Sequence, residues 1–171
     1  MAKYMACICE GGAERAVLDL LLDNHMLIFE REQLIEEEVL RCRSAKEFEE
    51  KHLKKGFQEK ITVYRILDSR NENFKLSKAY IHKIDIVNVV TAPEIEMLII
   101  LNEGKYKEFK STGVKPSTYC KSNLKLKNVK SYQYVQEYFS DMHILTQALR
   151  EYKRVSKIHK NEKTLLDLLK C

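Results

Sequence analysis

Three short apolar segments constrain the fold of this chain more than any other feature. They are Tyr4–Cys9, Ile61–Leu67 and Ile84–Val90. Each is mostly apolar and is followed by polar or turn-forming residues, which is the pattern of buried strands. After the first segment, apolar residues from Ala13 recur at three- and four-residue spacing, as on one face of a helix. Strands that alternate with helices predict an α/β fold with a mostly parallel sheet flanked by helices.

Much of the remaining sequence is typical of helices, whereas Gly104–Asn128 is lysine-rich and less regular. Helical patterns cover Gln33–Lys55, Glu94–Leu101, Ser131–Ser140 and Met142–Ile158. Gly56 is a plausible stop signal for the first of these. We expect an α/β core over residues 1–103, and a basic, mainly helical extension over residues 104–171 that packs on this core.

Composition excludes several classes of protein. Apolar residues make up 44% of the 171 residues, which is enough for a core and argues against global disorder. No segment approaches the roughly 20 apolar residues that cross a bilayer, and the N-terminus does not resemble a signal peptide.

The five cysteines are odd in number and irregularly spaced, which favours reduced thiols and a cytoplasmic location without membrane association. Cys7 and Cys9 share one face of a strand, as buried small residues do.

Basic residues are concentrated in one segment. The net charge is +5, and eight lysines with one acid, Glu108, lie between Lys105 and Lys130. Such a segment can neutralise phosphates, so nucleic acid is the predicted partner, although a solvated lysine-rich surface is the alternative. The candidate nucleic-acid-binding lysines are Lys105, Lys107, Lys110, Lys115 and Lys121.

Carboxylates follow the predicted strands. Glu10 ends the first strand, Asp68 ends the second, and Glu94 and Glu96 follow the third. Because ligand sites in parallel sheets lie beyond the carboxyl ends of the strands, these groups could meet at one edge. Carboxylate oxygens suit Mg²⁺ or Mn²⁺. Each carboxylate could instead be a solvated loop residue, and Glu14, one turn past Glu10, could simply favour the helix dipole.

These residues resemble the Toprim family, which includes topoisomerases, bacterial primases and overcoming-lysogenization-defect nucleases. The family pattern of glutamate, glycine and a further acid matches Glu10, Gly11 and Glu14. Its Asp-x-Asp motif is matched at Asp68 only. The segment 91–100, TAPEIEMLII, is similar to a motif of the RloB-like branch, in which Glu96 takes the place of the branch's glutamate. The resemblance covers roughly residues 3–103 and implies a Rossmann-like sheet.

The resemblance also implies an activity, a metal-dependent nuclease acting on DNA or RNA, and a role as the effector of a bacterial antiphage system. Glu10 would be a metal ligand or general base, Asp68 a second ligand, and Glu96 or Glu14 would complete the site. Arg70 stands where the family has its second aspartate. The site would then hold one metal, or would be inactive, or another acid would compensate; the acids considered are Glu72, Asp85 and Glu94. Arg70 could also contact the phosphate.

A non-catalytic Toprim-like module is the alternative. It would bind nucleic acid, or it would bind a partner ATPase or a second copy through its C-terminal helices. Their apolar stripe comprises Ile144, Leu145, Ala148, Leu149, Tyr152 and Val155, which intramolecular packing could equally explain. Tyr132, Tyr134 and Tyr138 could stack bases or pack a helix. A phosphotransfer or ligation enzyme is a third possibility, although the sequence shows no nucleotide-base pocket.

Overall fold

A five-stranded sheet, parallel throughout, forms the centre of the molecule. The computed structural model describes residues 5–53, 60–70 and 73–170. The strands are β1 (Met5–Cys9), β2 (Leu40–Arg41), β3 (Ile61–Leu67), β4 (Ile84–Val90) and β5 (Glu162–Lys163). Their order across the sheet is β2-β1-β3-β4-β5, and every pair is parallel. The predicted α/β class with helices flanking a parallel sheet is confirmed.

The register of the central strands aligns their carboxyl ends. Ile61 of β3 pairs with Ile84 of β4, and the pairing continues to Leu67 and Val90. Beyond them, the Thr91 backbone N–H donates to the Leu67 carbonyl at 2.7 Å. Strands β1 and β3 also run in the same direction, so the residues after Cys9 and after Leu67 emerge at one edge. We call this the carboxyl edge of the sheet.

In the described part of the chain, seven helices surround the sheet. They are α1 (Gly12–Asp23), α2 (Ala45–His52), α3 (Met97–Asn102), α4 (Tyr106–Thr112), α5 (Pro116–Ser122), α6 (Tyr132–Tyr138) and α7 (Met142–Val155) among the described residues. Three 3₁₀ turns cover Arg31–Gln33, Ile35–Glu37 and Leu165–Leu168. Within the described ranges, no helix is long and apolar enough to cross a lipid bilayer.

Alternation along β1 divides the core between the two faces of the sheet. Cys7 and Cys9 belong to a large cluster with α1, α3, α6 and α7, whereas Ala6 and Ile8 belong to a smaller cluster with α2. This is the period of two expected of a strand that is covered on both faces. The described cysteines are free and buried, in agreement with the prediction for Cys7 and Cys9.

The expectation of a mostly helical stretch over Gln33–Lys55 is wrong in its first half. Glu36 and Glu37 adopt φ values of 59° and 57°, in the left-handed region that ends a right-handed helix. The short strand β2 follows, and helix α2 begins only after Ser44, whose side chain accepts a hydrogen bond from the Glu47 backbone N–H at 3.1 Å. Gly56, the expected stop, lies outside the described residues.

The C-terminal part of the chain contributes to the same sheet and core as the N-terminal part. Strand β5 pairs with β4 through Asn88 and Glu162, and α6 and α7 pack on α1 and α3. Helices α6 and α7 fall within the predicted helical segments. The apolar stripe of α7 is used in this packing, since Leu145, Ala148, Leu149 and Tyr152 are buried.

Candidate functional site

A cleft at the carboxyl edge brings together four of the carboxylates that the sequence singled out. It encloses about 240 Å³. Its lining includes Glu10 after β1, Glu14 in α1, Asp68 after β3 and Glu96 before α3, together with Arg41, Arg43 and Lys130. Glu10 and Asp68 are half-buried, whereas Glu14 and Glu96 are only 7% and 4% exposed. The cleft therefore has a recessed acidic floor and basic residues beside it.

Gly11 makes room for one of these carboxylates. A Cβ atom at Gly11 would lie 2.1 Å from Oε2 of Glu14, so the Glu14 carboxyl group is packed directly against the glycine. Gly11 has φ −102° and ψ 164°, an extended conformation open to any residue. A side chain at Gly11 would thus displace the Glu14 carboxyl group, whereas the backbone conformation does not require glycine.

Gly12 brings the loop before α6 close to the start of α1. A Cβ at Gly12 would lie 3.4 Å from both the Lys130 carbonyl oxygen and the Tyr132 backbone nitrogen. This close approach places Lys130 at the cleft. The Gly11-Gly12 pair therefore accommodates the Glu14 carboxyl group and positions a lysine.

Glu94 holds that lysine. Its carboxylate accepts a hydrogen bond from Lys130 Nζ at 2.8 Å and another from the Ser117 backbone N–H at 2.8 Å. Glu94 is not among the residues that line the cleft. Of the other acids considered as compensating ligands, Asp85 pairs with Lys60 at 2.7 Å near the amino end of β4, and Glu72 lies outside the described residues. Glu94 and Asp85 are therefore both engaged in ion pairs.

Two buried carboxyl groups of the cleft, Glu96 and Glu14, have pKa values shifted upward. Burial, reinforced by the charges of Glu94 and Glu14 and opposed by Lys130, raises the pKa of Glu96 to about 7. Burial and the nearby charges of Asp68 and Glu10 also raise the pKa of Glu14. Glu96 can therefore hold a proton at a pH where ordinary carboxyl groups are ionised.

The ion pair between Glu94 and Lys130 shifts the pKa values of both groups so that each stays charged. Although burial opposes it, the hydrogen bonds from Lys130 and Ser117 lower the pKa of Glu94. The hydrogen bond to Glu94 raises the pKa of Lys130. Both groups are thus kept charged next to the acidic floor.

The donor chemistry of the cleft fits a hard divalent cation. In the described part of the chain, none of the four lining carboxylates takes part in an ion pair with a lysine or arginine side chain. Unpaired carboxylate oxygens are the ligands that Mg²⁺ and Mn²⁺ prefer. However, no three His, Cys, Asp or Glu side chains among the described residues form a ready metal-binding group. Binding a cation would require these side chains to move closer together.

Arg70 is directed to the C-terminal strand. Its Nε and Nη2 atoms donate to the Glu162 carboxylate at 2.7 and 3.0 Å, and Nη2 also donates to the Lys157 carbonyl at 2.8 Å. It is not among the residues that line the cleft. The Arg70 guanidinium group therefore links the loop after β3 to β5. Contact between Arg70 and a phosphate stays a prediction.

The candidate lysines occupy different environments. Lys105 pairs with Glu108 at 2.8 Å, Lys110 Nζ lies 5.8 Å from the centroid of the Tyr106 ring, and Lys107 and Lys115 are exposed. Lys121 instead lines a groove of about 620 Å³ that also contains Lys127 and Lys130. We call this the lysine groove. It adjoins the acidic cleft, because Lys130 lines both.

Sequence reasoning did not select Arg41, Arg43, Lys127 or Lys130. Arg41 lies in the two-residue strand β2, and its guanidinium donates to the Glu10 carbonyl at 3.1 and 3.3 Å. A strand this short carries no periodic signal. The two lysines lie in the lysine-rich segment, but only the fold distinguishes them from their neighbours.

Two further predicted alternatives concern the tyrosines and the cysteines. Tyr134 and Tyr138 stack on each other with centroids 5.8 Å apart, whereas Tyr132 is 41% exposed. Burial raises the pKa of Cys9 to about 12 and also raises that of Cys7. This disfavours the thiolate form that binds metals.

Comparison of the chain with models of known protein families, with curated proteins and with solved structures finds no match.

Proposed function

We propose that the cleft binds a divalent cation and hydrolyses phosphodiester bonds of nucleic acid, on a Toprim-like scaffold. The observation that supports the proposal most is that Glu10 and Asp68, which are 58 positions apart, line one cleft at the carboxyl edge of a parallel sheet. This is where parallel α/β folds place their ligand sites. The recessed Glu14 and Glu96 and the adjoining lysine groove fit the same activity.

Each group in the cleft has a role in this proposal. Glu10 and Asp68 would hold Mg²⁺ or Mn²⁺, with Glu14 and Glu96 completing the donor set. When bound, the ion would polarise a phosphate oxygen and lower the pKa of the attacking water. Arg41 and Arg43 would neutralise the substrate phosphate, for which a guanidinium group is well suited. Lys130, kept charged by Glu94, would attract the chain toward the acidic floor.

The biological setting rests on the sequence resemblance and on composition. The RloB-like resemblance supports a role as the effector of a bacterial antiphage system. The free buried cysteines support a reducing, cytoplasmic compartment. Partners other than nucleic acid have less support, because the apolar stripe of α7 that would dock an ATPase or a second copy is largely covered by the chain itself.

Substitution of the two central carboxylates tests the proposed activity. We expect Glu10→Gln and Asp68→Asn to reduce Mn²⁺-dependent cleavage of labelled DNA and RNA by at least about 100-fold, since each removes an anionic ligand. Glu32→Gln is the matched control: Glu32 is exposed, in a turn whose neighbour Leu34 bridges to Met5 at the amino end of β1. Equal cleavage by all four proteins, or none by the wild type, would contradict the proposal.

Cation binding can be measured without turnover. Mn²⁺ should raise the melting temperature of the wild type and of Glu32→Gln, because a ligand that binds only the folded state stabilises it. The rise should be much smaller for Glu10→Gln and Asp68→Asn. Equal shifts in all the proteins would show that Mn²⁺ binds elsewhere.

A non-catalytic nucleic-acid-binding module is the second candidate. Two observations favour it: Arg70 is held by Glu162, and no ready metal-binding group exists among the described residues. In this case the wild type, Glu10→Gln and Asp68→Asn would bind oligonucleotides without cleaving them, whatever divalent ion is added.

A further inference from the structure

We infer that the substrate is a single strand of nucleic acid that crosses the acidic cleft between two basic flanks, with one unpaired base stacked on Tyr132. This inference deepens the proposed function and rests on it for the position of the reacting phosphate. It is carried by the way three neighbouring concavities join and by the side chains that line them.

The three concavities form one continuous path. The lysine groove joins the acidic cleft at Lys130. On its other side, the cleft joins a second open concavity of about 310 Å³, with which it shares Gly12 and Arg41. That second concavity is completed by Arg15 and Tyr132, and we call it the tyrosine concavity. An extended chain could therefore run from lysines, over the carboxylates, to an arginine and an aromatic ring.

Cationic side chains on both flanks are available to bind phosphate. In the described part of the chain, Arg41, Arg43, Lys121 and Lys127 form no ion pair with a carboxylate. Arg15 differs, because it pairs with Glu38 at 3.0 Å and Asp19 at 3.5 Å. Uncompensated cations on either side of an acidic floor suit a polyanion whose backbone is held at two points while one phosphate reaches the middle.

Tyr132 is fixed in place as a stacking surface. Its side chain is 41% exposed, and its hydroxyl donates to Asp19 Oδ2 at 3.0 Å. Asp19 is 5% exposed and also accepts a hydrogen bond from Arg31 at 3.0 Å. A ring anchored at its hydroxyl loses little further freedom on binding, which favours stacking of a base.

The depth of the cleft favours a single strand over a duplex. Glu14 and Glu96 lie at the bottom with little exposed surface, so a phosphate must enter the cleft to approach them. A flexible single strand can bend into the cleft, whereas the backbone of a regular duplex is stiff. A base can stack on Tyr132 only when it is not stacked within a helix.

Equilibrium binding without a divalent cation tests the inference separately from catalysis. Fluorescence anisotropy in EDTA would compare fluorescein-labelled single-stranded DNA, single-stranded RNA and duplex DNA, each of about 20 nucleotides or base pairs. We expect at least one single strand to bind about tenfold or more tightly than the duplex. Tyr132→Ala should weaken that binding about five- to tenfold, and Tyr132→Phe, which keeps the ring, by less than about twofold.

Charge reversal tests the lysine groove. Lys121→Glu and Lys127→Glu should each weaken single-strand binding about tenfold or more and reduce its dependence on salt. Lys78→Glu is the control, because Lys78 is exposed and precedes β4 at the opposite edge of the sheet.

Several results would overturn the inference. They are equal binding of duplex and single strands, equal losses in Tyr132→Ala and Tyr132→Phe, or equal losses in Lys127→Glu and Lys78→Glu. The failure of the proposed activity is distinguishable, because Glu10→Gln and Asp68→Asn would then match the wild type in cleavage, whatever the binding assay shows. Circular dichroism of each variant establishes that it is folded.

Discussion

Burial and a nearby lysine shift the pKa of Glu96 in opposite directions, which makes Glu96 the residue of the cleft whose titration is most informative. Its side chain is almost completely buried, which favours the neutral acid, yet Lys130 is near enough to favour the carboxylate. Burial outweighs the lysine, so the pKa is raised to about 7. A carboxyl group that is neutral when the cleft is empty and ionised when a cation enters would couple proton release to metal binding.

The raised pKa of Glu96 predicts a pH-dependent difference in stability between the wild type and Glu96→Gln. The folded-state pKa exceeds the unfolded-state value, so this group's contribution is complete below pH 4.5 and is lost as the pH rises through 7. Glutamine resembles the neutral acid at every pH. Relative to Glu96→Gln, the wild type should therefore lose about 3 kcal/mol of unfolding free energy, at most, between pH 4.5 and pH 8.

Urea unfolding in EDTA at pH 5 and pH 8 measures this difference. Glu32→Gln, an exposed carboxyl substitution, should track the wild type at both values. If Glu96→Gln also tracks the wild type at both, the Glu96 carboxyl group does not experience the buried environment described above.

Residue type and position along the chain allowed half of the site to be predicted. Glu10 and Asp68 were identifiable because they directly follow clear strands, and parallel topology brings strand ends to one edge. Arg41 could not be identified from the sequence, because it reaches the cleft only through the pairing of the two-residue strand β2 with β1, in which Arg41 lies opposite Cys9. Side chains delivered by long-range packing carry no local signal in a single sequence.

At the scale of elements, long apolar strands and well-capped helices were predictable, and the short edge strands were not. Strands β3 and β4 have seven residues each, whereas β2 and β5 have two. Helix α7 begins after Asp141, whose carboxylate accepts from the His143 backbone N–H, a cap recognisable in the sequence. Edge strands this short depend on side-chain contacts, and for β5 the pair of Arg70 with Glu162 supplies one.

Breaking this pair should loosen the attachment of β5. Arg70 donates two hydrogen bonds to Glu162, and these lower the pKa of Glu162 to about 2. Because the side chain of Arg70 is 35% exposed, solvent screening limits the effect, and Arg70→Ala should reduce the unfolding free energy by about 1 kcal/mol at pH 7. Arg70→Lys, which keeps the charge but loses the two-pronged geometry, should recover only part of this loss.

The pH dependence identifies the ion pair as the cause. Since the folded-state pKa of Glu162 is lowered, its stabilisation is present above pH 4.5 and is lost as the pH falls through 2. The difference between the wild type and Arg70→Ala should shrink from pH 7 to pH 3 in urea unfolding. Combining Arg70→Ala with Glu162→Gln should cost little more than either alone, and fully additive losses would show that the two side chains are not coupled.

On the scale of the whole molecule, one core joins the predicted α/β part to the helical extension. Side chains from both parts of the chain form the larger cluster, including Leu18 and Leu21 from α1 and Leu145 and Leu149 from α7. The acidic cleft is also built from both parts of the chain, because Lys130 lies beyond residue 103 and the four carboxylates lie before it. The boundary at residue 103 therefore marks a change in sequence character within a shared core and a shared cleft.

A chain that ends at residue 103 should therefore fail to fold cooperatively. It would lack Phe139, Leu145 and Leu149, each at most 1% exposed, and would uncover the faces of α1 and α3 on which α6 and α7 pack. Burying a large apolar side chain contributes about 1.5–3 kcal/mol, so losing several removes a stabilisation comparable to the whole net stability of a typical domain.

Thermal unfolding followed by circular dichroism, with binding of a hydrophobic dye, compares this truncated chain with the full one. A graded version uses Leu145→Ala, which should cost about 2–5 kcal/mol, against Gln147→Ala at an exposed position of the same helix, which should cost under about 0.5 kcal/mol. A sharp transition for residues 1–103 near that of the full chain would instead make the α/β part an independent domain. The C-terminal part of the chain would then supply Lys130 and the lysine groove to the cleft without being needed to fold the α/β part.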